Sequence, residues 1–145
     1  MLRTQLIHPQ ILGALAEAGH GSQVLISDGN FPHVTATPPG ARRVYLNLSP
    51  GRVTVTEVLA AMVATVPLEA AAVMRPDDAD EPAVLGEYRR LLPSGIAVEV
   101  VERHAFYELT RRPDVTLAVA TGDQRLYANL LLTIGYIVPA VPDST

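Results

Sequence analysis

The chain has 145 residues, 48% of them hydrophobic, and a net charge of −4, which is the size of one domain with enough apolar material for a substantial core. Its 11 basic residues are all arginine and are scattered or paired rather than clustered, so the strong basic field that a nucleic-acid backbone calls for is missing. With no lysine and no cysteine, Schiff-base chemistry, a thiolate nucleophile, a disulfide framework and a cysteine-based zinc site are excluded.

The cysteine-free composition fits a cytoplasmic protein. The opening Met1-Leu2-Arg3-Thr4-Gln5-Leu6-Ile7-His8-Pro9 has no uninterrupted apolar segment, and the apolar stretch from Val58 to Leu68 is broken by Thr65 and Pro67. Neither a signal peptide nor a membrane span is expected.

Ile11, Leu12, Leu15 and Ala18 recur at helical spacing after Pro9, and Gly19 stands where a left-handed helix cap is expected. Val24 to Ser27 reads as a short buried strand closed by the turn residues Asp28-Gly29-Asn30 and Pro32. A loop at Thr37 to Arg43 leads to a second strand, Val44 to Leu48. Thr54 with Glu57 forms a capping-box pattern ahead of Val58, Leu59, Met62, Val63 and Val66, which predicts a second helix. Ala70 to Met74 reads as a strand. Asp80-Glu81-Pro82 opens a third helix with the apolar face Val84, Leu85, Tyr88, Leu91 and Leu92. Ile96 to Val101 is strand-like, Arg103 to Arg112 a short helix ended by Pro113, and Val115 to Ala120 a buried strand. The pattern from Asn129 to Val138 fits a strand or a helix. The tail from Pro139 to Thr145 is expected to be disordered. Helices alternating with short apolar strands predict a single α/β domain over residues 1–145: a mixed β-sheet flanked by helices on both faces, in three layers.

Gly19-His20-Gly21 and the strand-ending Asp28 are the sequence's strongest hints of chemistry. Glycine on both sides lets the chain turn sharply around the imidazole, and Asp28 puts a carboxylate where α/β proteins bind ligands. As a pair alone they also read as a helix cap and a turn. Histidine can both accept and donate a proton near neutral pH, which suits His20 to general acid/base work. Asp28 offers hydrogen-bond acceptors, Arg103 fixed donors, Asn129 both, and Tyr127 a phenol on an apolar body. Taken singly, Arg103 reads as a solvated helix-start charge, Tyr127 as a half-buried core aromatic and Asn129 as a turn residue. His8 reads as a helix cap and His104 as a helix-surface residue, while His33 follows the Phe31-Pro32 turn at a possible rim. No spacing puts two histidines on one helical face with a carboxylate, so no metal site is expected, and without a phosphate-cradling glycine loop no nucleotide cofactor is expected either.

Four segments together, Gly19-His20-Gly21, Val24 to Pro32, Arg103 to Glu108 and Thr121 to Asn129, resemble the D-ribose pyranase and L-fucose mutarotase family of sugar-anomer isomerases, from the first helix to Gly135. The resemblance implies that His20 is the proton donor and that Asp28, Arg103, Tyr127, Ala128 and Asn129 contact a free monosaccharide, with no cofactor or metal. Arg103 with Ala105-Phe106-Tyr107-Glu108 is similar to the fucose branch, since ribose pyranases carry histidine at the position of Arg103. The Tyr127-Ala128-Asn129 run is similar to the ribose branch, and Ser22 departs from the acidic residue or threonine common in the family.

Two readings follow. In the first, the chain is a mutarotase or pyranase that opens and recloses the ring of a fucose-like aldose through His20. In the second, it is a sugar-binding accessory or regulatory protein without significant turnover. A purely structural oligomer domain is a third, which leaves the polar strand-end residues without a purpose. At ~3.3 Å per residue, the eight residues from His20 to Asp28 span roughly 20–26 Å, too far for one small sugar to touch both. If both serve one reaction, the site lies at a subunit interface of a homo-oligomer. The resemblance implies a ring, with a decamer as a candidate size.

Overall fold

A computed structural model describes residues 1–142. In chain order its elements are α1 (Pro9–Glu17), β1 (Gln23–Ser27), β2 (Arg42–Tyr45), α2 (Val55–Val63), β3 (Leu68–Met74), α3 (Leu85–Leu91), β4 (Ala97–Val101), α4 (Arg103–Thr110), β5 (Val115–Ala120) and β6 (Leu130–Ile134). The six strands form one sheet in the order β2-β5-β1-β6-β3-β4. β1 pairs in parallel with β5, β2 with β5 and β3 with β4, while β6 runs antiparallel to both β1 and β3.

Side chains alternate across the pleat. Val24, Ile26, Leu117, Val119, Leu130 and Leu132 meet the apolar faces of α1, α2 and α3 in one core. Leu25, Ala118 and Leu131 point the other way, onto Phe106 of α4 and onto Phe31, Ala36 and Ala41 of the β1–β2 connection. Helices therefore cover both faces of a mixed sheet, as expected.

Local chemistry explains most element ends. His8 Nδ1 accepts from the Ile11 N–H at 3.4 Å, capping α1 as anticipated. Both arms of the Thr54–Glu57 capping box form. Within the segment open to two readings, Asn129 to Val138, Leu130–Ile134 is a strand, because pairing on both sides satisfies its backbone, while residues 135–138 carry neither helix nor strand.

Some expectations shift. Gly19 is not the left-handed cap: α1 ends as Ala18 turns extended, and the positive φ falls on Gly21 (85°), whose N–H donates to Ile134 O at 2.9 Å. β2 stops at Tyr45 rather than Leu48, since Leu48 N–H turns back onto Leu46 O at 3.0 Å and its side chain lies exposed. α3 starts at Leu85, past Pro82, with no side-chain cap at Val84. Of the tail, residues 139–142 are exposed and carry neither helix nor strand, and residues 143–145 lie outside the described residues.

The consequence for function lies in strand direction. Every strand except β6 points the same way, so the residues that follow β1, β2, β3, β4 and β5 gather at one edge of the sheet, and the reversed β6 brings the residues preceding it to that same edge. In open α/β sheets this carboxyl edge is where ligands bind.

Candidate active site

At the carboxyl edge Asp28 follows β1 and is 5% exposed. Its backbone N–H donates to Asn129 Oδ1 at 2.9 Å, and its Oδ2 accepts from Asn129 Nδ2 at 3.2 Å. Its Oδ1 accepts from the Asn30 N–H at 2.9 Å. Burial pushes the Asp28 carboxyl above its ordinary range, against the hydrogen bonds from Asn30, Phe31 and Asn129, and the nearby Asp123 pushes the same way.

Arg103 opens α4 directly after β4. Glu102 caps that helix by accepting from the N–H groups of His104 and Ala105 at 3.0 and 3.1 Å. The Arg103 guanidinium reaches Asp77 at 3.7 Å, and its buried Nε has no partner among the described residues. Tyr127 holds φ at 60°, in the left-handed region. Asp28, Arg103, Tyr127 and Asn129 line one concavity of about 160 Å³ together with Asn30, Phe31, Met74, Tyr107 and Leu126. Carboxylate, guanidinium, amide and two phenols over an apolar floor suit a polyhydroxylated ligand with an apolar face. The concavity is smaller than the roughly 300–1,000 Å³ of complete ligand sites. A larger cleft of about 400 Å³ adjoins it across Asn30, lined by Asn47, Ser49, Thr121, Gly122 and Gln124 among others, and contains none of the sequence-derived site residues.

Ala128 lies elsewhere: its side chain is fully buried in the core beneath the loop, with Leu130 and Tyr88 in the same cluster.

His20 is not in the concavity. It sits at the opposite edge, in the turn before β1, where its Nε2 lies 2.8 Å from Glu69 Oε2 and its ring meets the edge of Tyr136 with centroids 5.0 Å apart. With Nε2 donating to Glu69, Nδ1 is left as the acceptor. The sequence reading missed Glu69, although it is the sole charge in the apolar strand Leu68–Met74. It also passed over Tyr107 as a lining residue. The remaining histidines take structural places. His104 is exposed on α4. His33 is buried behind the site rather than on its rim, its Nδ1 3.3 Å from Ser27 Oγ and its ring against Tyr45. Among the described residues, no three His, Asp or Glu side chains converge as metal ligands do, and no helix is long and apolar enough to cross a membrane.

The profile of the RbsD / FucU transport protein family matches residues 1–137. The chain belongs to that family. It is 33% identical over 135 residues to a D-ribose pyranase of Paracidovorax citrulli, covering 93% of this chain and 98% of the relative. It is 31% identical over 146 residues to a fucose mutarotase of Danio rerio, covering 92% of each. Among solved structures it superposes on a Streptococcus pneumoniae fucose mutarotase in complex with L-fucose with a TM-score of 0.79 at 27% identity, covering 95% of this chain and 100% of the other. Bacillus subtilis RbsD complexed with D-ribose shares the fold, with a TM-score of 0.81 at 22% identity and the same coverage. The resemblance to the RbsD / FucU family read from the sequence is thus correct at the level of family and fold.

Proposed function

We propose that this chain is a cofactor-independent isomerase of a free monosaccharide, a mutarotase or pyranase, whose active site is completed between two copies. The observation that carries this reading is the separation of the two polar clusters: a small open concavity around Asp28 at one sheet edge and the His20–Glu69 pair at the other. The named relatives include both D-ribose pyranase and fucose mutarotase.

Ring opening needs a proton removed from the anomeric hydroxyl as the bond from C1 to the ring oxygen breaks, and a proton given to that oxygen. Closure on the other face, or through another hydroxyl, reverses these steps. Nδ1 of His20, freed by the Nε2 contact to Glu69, accepts the first proton and returns it. Asp28, Arg103, Tyr127 and Asn129 hold the sugar hydroxyls, the backbone around Ala128 supporting the loop from below. Met74, Phe31 and Leu126 on the same concavity offer an apolar wall for the methyl group of a fucose-like 6-deoxy sugar, which supports that choice over a pentose.

His20 of one copy reaches the concavity of the next. Tyr136, Ile137 and Val138, which follow β6 on the His20 side, are 65%, 78% and 73% exposed, and Leu126 beside the concavity is 70% exposed. Apolar surface of this kind on both sides supports a head-to-tail contact that closes into a ring.

The test is NMR magnetisation transfer between anomers of fucose, ribose, galactose and glucose, with the purified protein in chelator and without nucleotide. Faster exchange for at least one sugar is expected, with fucose ahead. Rates equal to buffer for all four, with sugar still bound, would favour a binding protein without turnover.

A further inference from the structure

The loop from Thr121 to Asn129, which joins β5 to β6, is fastened on the side away from the concavity. Asp123, almost fully buried, accepts at Oδ1 from the Arg125 N–H and Nε, both at 3.0 Å, and at Oδ2 from Arg125 Nη2 at 2.7 Å and from the Val55 N–H of α2 at 3.0 Å. Arg125 then reaches across to two helices. Its Nη1 donates to Glu87 Oε2 of α3 at 2.7 Å and its Nη2 to Thr56 Oγ1 of α2 at 2.9 Å. Thr56 Oγ1 in turn donates to the same Glu87 oxygen at 3.0 Å. One planar guanidinium thus ties the middle of the loop to both helices at once, which lysine's single ammonium cannot reproduce.

Two residues further on, Tyr127 holds a positive φ, alone among non-glycine residues in the described chain. A residue with a Cβ keeps that backbone only where its surroundings impose it. Neither Arg125 nor Glu87 lines the concavity, whereas Leu126, Tyr127 and Asn129 do.

We propose that Arg125 and Glu87 are positioning residues of the sugar site, forming a clamp that sets the 123–129 loop in its ligand-accepting shape before a sugar arrives. This rests on the function proposed above for what enters the concavity. The hydrogen bond from Arg125 is the main cause holding the Glu87 carboxyl below its ordinary range, so the clamp stays ionised at neutral pH. Without the clamp, the competent loop conformation is a smaller share of the population. Apparent affinity falls by that share, while the chemistry in the filled site is unchanged.

The experiment compares wild type with Glu87→Gln, Arg125→Gln and the double variant. Backbone hydrogen exchange is followed without sugar, and anomer exchange is followed against fucose concentration, or against whichever panel sugar the wild type turns over. Both single variants should exchange the amides of residues 124–129 faster and raise KM by about three- to tenfold, with the saturating rate within about twofold of wild type. The double variant should add little to Arg125→Gln, since both changes break one unit. Glu87 is half-exposed on α3, so Glu87→Gln keeps the measurement available should Arg125→Gln fail to fold. Unchanged loop amides in Glu87→Gln, or looser amides with an unchanged KM, would overturn the clamp. A wild type that turns over none of the four sugars would instead count against the proposed function, and binding of the sugar then replaces KM as the second readout.

Discussion

Asp28 and Asn129, 101 positions apart in sequence, hydrogen-bond to each other twice, amide oxygen to backbone N–H and amide nitrogen to carboxylate. The antiparallel β6 makes this contact: its first residues stand beside the last residues of β1. Asn129 thereby satisfies a buried backbone donor and orients the carboxylate that lines the concavity. Asn129→Ala should lower folding stability by about 1–3 kcal/mol, because the Asp28 N–H is left buried and unpaired. It should also weaken sugar binding. Chemical denaturation and sugar titration check the two effects separately.

Asp28 has a second, pH-dependent signature. Its folded-state pKa lies above the ordinary 3.8, mainly through burial. Its contribution to stability is therefore fully present below 3.8 and is lost as pH rises through the folded value. Asp28→Asn should flatten that part of the stability profile between acid and neutral pH, measured as the difference in unfolding free energy between variant and wild type at each pH.

His33 works in the opposite direction. Burial first, and Arg43 second, depress its pKa below the ordinary 6.5. The stability it contributes is fully present above 6.5 and is lost as pH falls toward the folded pKa, since the unfolded chain takes up the proton first. His33→Gln should narrow the gap in thermal midpoint between pH 7 and pH 5. An equal gap in variant and wild type would show that His33 is not buried as described.

Glu69 fixes which nitrogen of His20 carries the proton. Glu69→Ala should slow anomer exchange by about tenfold or more while leaving sugar affinity near wild type, and His20→Ala should abolish exchange while leaving sugar binding largely intact. Exchange rates measured beside direct sugar titration separate these outcomes from a loss of binding.

Much of this architecture was legible in the sequence, for physical reasons that differ by element. The second helix was announced by Thr54 and Glu57 because a capping box is a local device, and β5 by a run bounded at Pro113 and Gly122. The helix closing near Gly19 was legible, but its left-handed residue was not: what selects Gly21 is a hydrogen bond to Ile134 at the far end of β6. The run after Asn129 fitted two structures because its pairing partners lie more than 55 positions upstream. The same limit hid the site's supports. Glu69 gains its partner only when β3 is placed two strands from β1 in the finished sheet, with its first residues beside His20, and Arg125 gains its role only when α2 and α3 are in place.

The proposed contact between copies makes its own demand on the His20 edge. Tyr136→Asp combined with Ile137→Asp puts charge into the exposed apolar surface beside His20. The variant should sediment as a monomer and lose anomer exchange while its folding transition is kept, since both side chains are already exposed in the isolated chain.

The most direct test mixes two inactive variants, His20→Ala and Asp28→Ala, by dissociating and reassembling them together. A site that spans two copies regains an intact His20 from one and an intact Asp28 from the other at about a quarter of the contacts in an equal, random mixture, so about a quarter of wild-type exchange should return. Mixed oligomers that stay inactive, each variant alone being inactive and folded, would contradict a site shared between copies.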